Sequence, residues 1–576
     1  MAMHIHSSFS EQSGSMHGHL DQAAKNAVDV LWWTDHDHRM DGTHYRKATH
    51  FTSFSEKGAA GQGGAWNWRV VESGPNTTAS TGGIVSTPCS PKDPVSGGAL
   101  HVMAQSSSTS PATFGFFADC HPAGWNYRDN LTGQSVLVDV LLASGWSRGH
   151  LELLVTTSSH PASGGRAGGN YALSYRFVPS GRASAKAYGN TGVIRIPVTS
   201  PWQTVTLTPS SDIANLWPDL DYRDFAMWEL NLSAVSTGDQ VEGYFDYLRF
   251  RRTVSGQAQF SEQAAMQAVL ASKYPGVTQW QGLEVSLLLP HVNWFGPNVT
   301  VPGYAGINTS SAYSSFLAST VIPAIHSSGG LASYNHPYGY GGGPALPQSQ
   351  QDSLLSQVAS NLLTNNLLGA DLLEVGYKLR QGVDINHHIA LWDVMSRNAV
   401  FLTGNGVSDD HFGTNWYGMS NNWVTSVWAP STGMPDLLSA LAAGRAWCGS
   451  LSKFRGSLDM LVDGSVPMGA VSVSSVTSRQ LTATATGLPS GAVLQVLQGV
   501  VDYAGQNALT DDVQLIGSYT PAQLAGGQIT QSVSTAQDSF LRTQLVSSTG
   551  AIIATSNPVW LLRQSPPNGI PAAREA

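Results

Sequence analysis

Apolar residues recur along this chain with two different periods. Near the start they form short solid runs around a helical one: "MHIH" is followed by an amphipathic stretch from Leu20 to Val28 and then by "VDVLWWTDH". Short apolar runs bounded by polar residues read as strands buried on both faces, so the opening predicts a β/α unit. From about Tyr45 to Thr253 the period becomes two, as in "SVLVDVLLAS", "LELLVTT", "TVTLTP" and "VEGYFDYLRFRR", with Gly, Ser and Pro between the runs. Alternating strands joined by turns, with few helical runs, predict a β-sandwich or jelly roll inserted into the first pattern.

The first rhythm resumes after Phe260. Helical "SEQAAMQAVLASKY" precedes "GLEVSLLLPHV", "AYSSFLASTVIPAIHSSGG" precedes "LASYNHP", and "QDSLLSQVASNLLTNNLLGA" precedes "DLLEVGY". "DINHHIALWDVMSRN" then leads to "AVFLTGNGVSDDH", and "MPDLLSALAAG" to "RAWCGS". Strands at "MHIH", "VLWW", "LEVSLLL", "LASYN", "LLEV", "VFLTG" and "AWCG" with helices between them predict an α/β fold: a distorted (βα)7 TIM-like barrel. It would comprise residues 1–43 and 256–450, carry the inserted sandwich at 44–255, and be followed by a C-terminal β-sandwich at 454–562 and a frayed tail at 563–576.

Composition narrows the class. Charged residues make up 12% of the 576, well below the usual quarter, while Gly, Ser, Thr and Trp are plentiful. That profile predicts an exported protein, secreted or periplasmic, whose leader is absent from this chain. A net charge of −9 without a Lys/Arg run excludes a nucleic-acid partner, and no apolar stretch is long enough for a membrane span. Three cysteines exclude a dense disulfide framework; Cys89 and Cys120 lie in one β-rich region, where they either pair or stay as buried thiols.

The 18 histidines change the picture most. His4 and His6 close the first predicted strand and His36 the second; Glu284 and His291 flank the end of the third; His336 closes the fourth; Asp409 and His411 follow the sixth. In β/α architectures functional residues gather at the carboxyl ends of the strands, and neutral imidazole with carboxylate is a ligand set for divalent metals.

Taken in order, "HIHSSFSE", "TDH", "LEVSLLLPH", "NHP" and "SDDH" resemble the PHP (polymerase and histidinol phosphatase) superfamily of metal-dependent hydrolases. "HSSFSE", "LWWTDHD" and "GVSDDHFG" are most similar to its carbaryl-hydrolase-like branch. The resemblance implies that His4, His6, Glu11, His36, Glu284, His291, His336, Asp409 and His411 hold two or three divalent ions (Zn, Mn or Fe). It further implies that a metal-activated hydroxide cleaves an ester bond. Glu11 departs from the Asp or His common at its position in the superfamily.

Other polar residues have two readings each. Asp35 alternates away from His36, which suits orienting a ligand rather than being one. Arg39, Lys378 and Arg380 are either solvated loop residues or an anion clamp that, with Asp35, completes the catalytic set. Tyr338 and Tyr377 add hydrogen bonds or an aromatic wall. Asp37 and His38 line the mouth or face solvent, His17 and His19 read as surface, and His387 and His388 as solvent-facing or capping positions on a helix. Aromatics in "WNYRDN" and "WPDLDYRDFAMW" suit either a carbohydrate-binding surface or the core of a structural lid. The preferred expectation is a phosphoesterase taking a small-molecule phosphoester. The alternatives are a carboxyl-ester or carbamate hydrolase with the same centre, and an exported carbohydrate-binding protein whose metal site is structural.

Overall fold

The computed structural model describes the chain except for residues 12, 42–47, 50, 52–66, 75–79, 96, 108, 120–129, 144–145, 200 and 504–507. Seven strands form the sheet that carries the histidines: β1 (Ala2–Ile5), β2 (Val30–Trp33), β3 (Thr278–Val285), β4 (Val292–Phe295), β5 (Leu331–Tyr334), β6 (Leu372–Glu374) and β7 (Thr403–Asn405), neighbours in that order. β1, β2 and β3 are mutually parallel, as are β5, β6 and β7, but β4 runs antiparallel to both β3 and β5. β1 and β2 are buried at every position, as their solid apolar runs require.

The expected (βα)7 TIM-like barrel does not form. Among the described residues the strand path ends at β1 and at β7, where a single isolated bridge between Ile5 and Asp410 takes the place of a closing ladder, and strand outweighs helix by 39% to 20%. Two local features explain the difference. "LEVSLLLPHV", predicted as one strand, breaks after Val285: Leu289 is 40% exposed and Pro290 has no N–H to continue a ladder. The chain then reverses and returns as β4. The predicted seventh strand, "AWCG", pairs instead with Trp423–Val427 and Ile552–Ser556 in a different sheet. The reversal nonetheless keeps one edge chemically coherent, because the amino end of an antiparallel strand lies beside the carboxyl ends of its parallel neighbours.

The insertion is a sandwich of a seven-stranded and a six-stranded sheet. Its period of two is explained by Leu151, Leu153 and Val155 on one sheet and Val136, Val138 and Val140 on the other, all fully buried in the shared core. Trp217 and Phe225 of "WPDLDYRDFAMW" belong to that core, as a structural reading of these aromatics requires; most of "WNYRDN", and Cys120 with any Cys89–Cys120 pairing, lie outside the described residues.

A four-stranded and an eight-stranded sheet build the C-terminal sandwich, and the latter recruits Trp423–Val427 and Ala446–Ser450 from before the predicted boundary at 454. The predicted frayed tail is docked: Arg574 is 3% exposed and donates to Gly469 O at 2.8 Å. No described helix is long and apolar enough to cross a membrane.

Candidate metal centre

Glu284 is the hub of the site. Its carboxylate lies 3.2 Å from His4 Nε2, 3.8 Å from His6 Nε2, 2.6 Å from His36 Nδ1, 3.1 Å from His291 Nδ1 and 3.3 Å from His336 Nε2. Asp409 is a second hub, with Oδ1 3.2 Å from His4, 3.0 Å from His6 and 3.3 Å from His411. Glu11 completes the ring at 3.3 Å from both His36 and His411. All nine residues expected as ligands therefore meet in one cluster. Three subsets bring one nitrogen or oxygen from each member within 4.8 Å of the others: His6/His36/His411, His4/His6/Glu284 and His36/Glu284/His291.

Backbone register places them. His6 N–H donates to Asp410 O at 3.0 Å, which sets the β1 end against the segment after β7, and Glu284 N–H donates to Asp35 O at 3.0 Å, which sets β3 against the β2 end. His291 belongs to the same edge because it precedes the antiparallel β4. His336 and Asp409 have left-handed backbones, φ 26° and 53°, a conformation that costs free energy outside glycine and persists where surrounding contacts hold it. For His336 one such contact is its N–H, which donates to Glu374 Oε2 at 2.7 Å.

The electrostatics suit cation binding. Burial opposes ionisation of Glu284, yet the facing rings of His291, His36 and His4 hold its carboxyl well below the usual carboxylate range. Burial likewise opposes Asp409, which Arg380, His4 and His411 hold low. Burial, reinforced by His36 and His411, takes His6 well below the imidazole range, and burial lowers His291 to about 4, so both keep a free lone pair. Burial opposes protonation of His4 and His411, yet the carboxylates around them raise both, His4 well above the imidazole range through Asp409, Glu374 and Glu284, and His411 to about 10 through Glu11 and Asp409. His4 Nε2 lies 3.2 Å from both Glu284 and Asp409. A ring nitrogen held between two anions favours a positive charge there, whether a proton or a metal cation. Imidazole and carboxylate without thiolate match Zn, Mn or Fe, so the residues fit the metals that the motifs implied.

The remaining candidates divide. The Asp35 carboxylate bonds none of the nine side chains; it accepts Ser7 N–H at 2.7 Å, Ser7 Oγ at 2.8 Å and Ser10 Oγ at 2.6 Å, together with Gln263 Nε2. It shapes the turn between His6 and Glu11, the orienting place its alternation away from His36 suits. Arg39 Nη1 pairs with Glu11 and donates to Ser10 O at 2.9 Å, while Arg380 pairs with Asp409. Neither guanidinium is a solvated loop cation. Lys378 is exposed, with its backbone N–H on Asn421 Oδ1 at 2.9 Å, and is not part of the cluster.

Four histidines depart from their expected exposure. His17 and His19, read as surface, are buried where helix α1 (Met16–Lys25) packs under the site and the insertion. His387 and His388, read as solvent-facing or capping, are also buried; His387 bonds Asp384 at 2.9 Å, and His388, lowered by burial to about 3, lies against the rings of Tyr338 and Tyr377. Helical periodicity missed them because these helices are covered on more than one side. Asp37 is buried and accepts Ser286 N–H at 3.0 Å, and His38 stands 5.7 Å from the His36 ring.

Glu374 is the residue that motif matching passed over. It ends β6, so the rule that located the other ligands at strand ends points to it as well. Its Oε1 is 2.6 Å from His4 Nδ1, and its Oε2 accepts Tyr377 OH at 2.5 Å. A carboxylate on Nδ1 fixes the His4 tautomer and leaves Nε2 for a metal. Glu374→Gln should weaken metal affinity about 10- to 100-fold; competition with a chromogenic chelator measures it, and an unchanged affinity would remove Glu374 from the centre.

No protein-family model and no curated protein matches the chain. Among solved structures, a study of carbohydrate-binding modules from the β-sandwich superfamily gives a TM-score of 0.19 at 10% identity, covering 32% of this chain and 57% of that one. A family 12 xyloglucanase from Bacillus licheniformis gives 0.19 at 9% identity, covering 32% and 99%. An endo-1,4-β-glucanase gives 0.21 at 13%, covering 32% and 93%. Likeness this slight has no bearing on what the chain does.

Proposed function

We propose that this chain is an exported metal-dependent hydrolase that cleaves ester bonds, with phosphoesters its preferred class, as the PHP-like motifs imply. The observation that supports it most is the convergence of His4, His6, Glu11, His36, Glu284, His291, His336, Asp409 and His411 on one edge of one sheet. When bound, divalent ions would supply Lewis acidity and a water of lowered pKa. The chain's own residues hold the charges around that chemistry. Glu284 and Asp409 orient the imidazoles, Glu374 holds the His4 tautomer, and Asp35 fixes the Ser7–Ser10 turn.

Two guanidinium groups favour an anionic substrate. Arg39 and Arg380 are 30% and 15% exposed in their side chains, and Arg380 Nε is buried with no partner, a donor left over for a phosphoryl oxygen. A second reading rests on aromatic surface: Tyr340, 62% exposed, stacks on the His291 ring at 5.9 Å, and Phe412, 52% exposed, adjoins His411. Such flanks suit a neutral aryl ester or carbamate. A carbohydrate partner for the insertion would need residues outside its core, such as Trp202 and Tyr244, whose rings are 6.5 Å apart.

The deciding experiment assays metal-depleted and Mn²⁺-, Zn²⁺- or Fe²⁺-restored protein on aryl phosphate mono-, di- and triesters, carboxyl esters and carbamates. Metal-dependent phosphoester turnover is expected. Arg380→Gln should cut it by about one to two decades, the equivalent of a charge-assisted contact, while sparing neutral esters. Equal losses on both classes would favour the aryl ester reading, and turnover in fully metal-free protein would overturn the proposal.

A further inference from the structure

The segment that carries Glu11 is held from outside the sheet, by the insertion. Asp224, 1% exposed on the one-turn helix Tyr222–Asp224, accepts Ser8 Oγ at 2.8 Å and Met16 N–H at 2.7 Å on Oδ1, and His17 N–H at 2.9 Å on Oδ2. Asn130 Nδ2 donates to Ser8 O at 3.1 Å. The edge of the insertion strand Gly149–His160 grips the same segment further on: Ser159 N–H donates to Ser13 O at 2.9 Å, and Ser15 Oγ donates to Ser159 O at 2.7 Å. Residues 8 and 13–17 are thus pinned on either side of Glu11.

The same segment presses on His411. A Cβ at Gly14 would lie 2.9 Å from His411 O and 2.8 Å from the Phe412 carbonyl carbon, so glycine permits that approach. Beyond it, Gln22 Oε1 of α1 accepts Trp416 N–H at 3.1 Å, and Trp416 Nε1 donates to Asp410 at 2.6 Å. Glu11 and His411 are the two ligands whose positions depend on this packing, whereas Glu284, His291 and His336 are fixed by sheet register. The His4/His6/Glu284 group stands at β1 and β3, and among the described residues the insertion makes no hydrogen bond to those three side chains.

We propose that the inserted β-sandwich is the support for the outer part of the metal centre, with Asp224 the positioning residue that holds Glu11 and His411 in ligand geometry. This rests on the reading of the cluster as a metal centre. The one Asp224 carboxylate takes its donors from Ser8 and from the first two residues of α1, and so ties the chain on both sides of Glu11; loops without such ties are mobile. Supporting residues of this kind alter metal affinity without touching the metal. Asp224 therefore acts on occupancy of one ion and leaves the remaining ions in place.

The test measures metal stoichiometry and affinity by elemental analysis and Mn²⁺ titration. It compares wild type, Glu11→Ala, Asp224→Ala, Asp224→Asn, Ser8→Ala and the Asp224→Ala/Glu11→Ala pair. Glu11→Ala and Asp224→Ala are each expected to lose the same single ion, and the pair no more than either, because Asp224 works through Glu11. Asp224→Asn, which keeps one acceptor, and Ser8→Ala, which removes one tie, should keep the fold and weaken that ion about 10-fold or more. Should Asp224→Ala fail to fold, these two variants decide. Full stoichiometry and wild-type affinity in the Asp224 and Ser8 variants, with an ion lost in Glu11→Ala, would overturn the supporting role alone. A wild type that binds no metal would overturn the metal centre itself and this inference with it.

Discussion

Asp409→Asn is expected to lower kcat/KM for phosphoester hydrolysis by about two to four orders of magnitude. The substitution keeps the shape of the side chain and removes the charge that faces His4, His6, His411 and Arg380. In the proposed centre each of those groups would orient or balance a metal ion, and losing several kcal/mol of charge stabilisation at about 1.4 kcal/mol per decade gives that range. Fold should survive, because Asp409 is a loop residue after β7 and the apolar core beneath it is unchanged. Single-turnover rates and metal content on the same preparations separate lost chemistry from lost metal. A variant with wild-type turnover would place the chemistry elsewhere.

Arg542→Ala should lower the first unfolding transition of the whole chain, at a cost of about 3–5 kcal/mol. Arg542 Nε and Nη2 donate to the two carboxylate oxygens of Asp393 at 2.8 and 2.7 Å, and Nη1 donates to Gln544 Oε1 at 2.7 Å. Asp393 is 2% exposed on the helix Ile385–Arg397, so this bond fastens the C-terminal sandwich to the helical layer behind β6 and β7. Burial raises the Asp393 carboxyl above its ordinary value against the pull of Arg542, and an unpaired charge there would be worse placed. Replacing both partners, as Asp393→Leu/Arg542→Met, should restore most of the loss, since a buried pair often exchanges for apolar groups at little cost. Differential scanning calorimetry reads both variants; a single variant melting with wild type would show the bond to be dispensable.

Much of the site was legible in the sequence because its logic is local. A strand end is marked by the last apolar residue of a run, and His6, His36 and Asp409 each follow or close such a run, whereas Glu284 stands inside its run, one residue before the end of β3. The alternation of period two in the insertion and the C-terminal region likewise reports directly which face of each strand is buried, and both sandwiches follow from it. Glu374 was equally legible by position and was missed only because no motif named it.

What local pattern could not settle was pairing. An apolar run states that a strand is buried and says nothing about its direction or neighbour, so the reversal at Pro290 and the loss of "AWCG" to the C-terminal sheet turned an expected barrel into an open mixed sheet. Roles set by distant partners were hidden for the same reason. His17, His19, His387 and His388 look amphipathic along the chain and are buried by elements tens or hundreds of residues away. Arg39 and Arg380 became ion-pair partners of Glu11 and Asp409, while Lys378 in the same stretch as Arg380 stayed in solvent. The sequence by itself determined which side chains of a type able to bind a metal stand near strand ends, since residue type and strand-end position are one-dimensional facts. The tertiary structure alone decided which of them share a centre and that Asp224, from a separate sandwich, holds the Glu11 segment, because contacts between residues 8 and 224 exist only once the chain has folded.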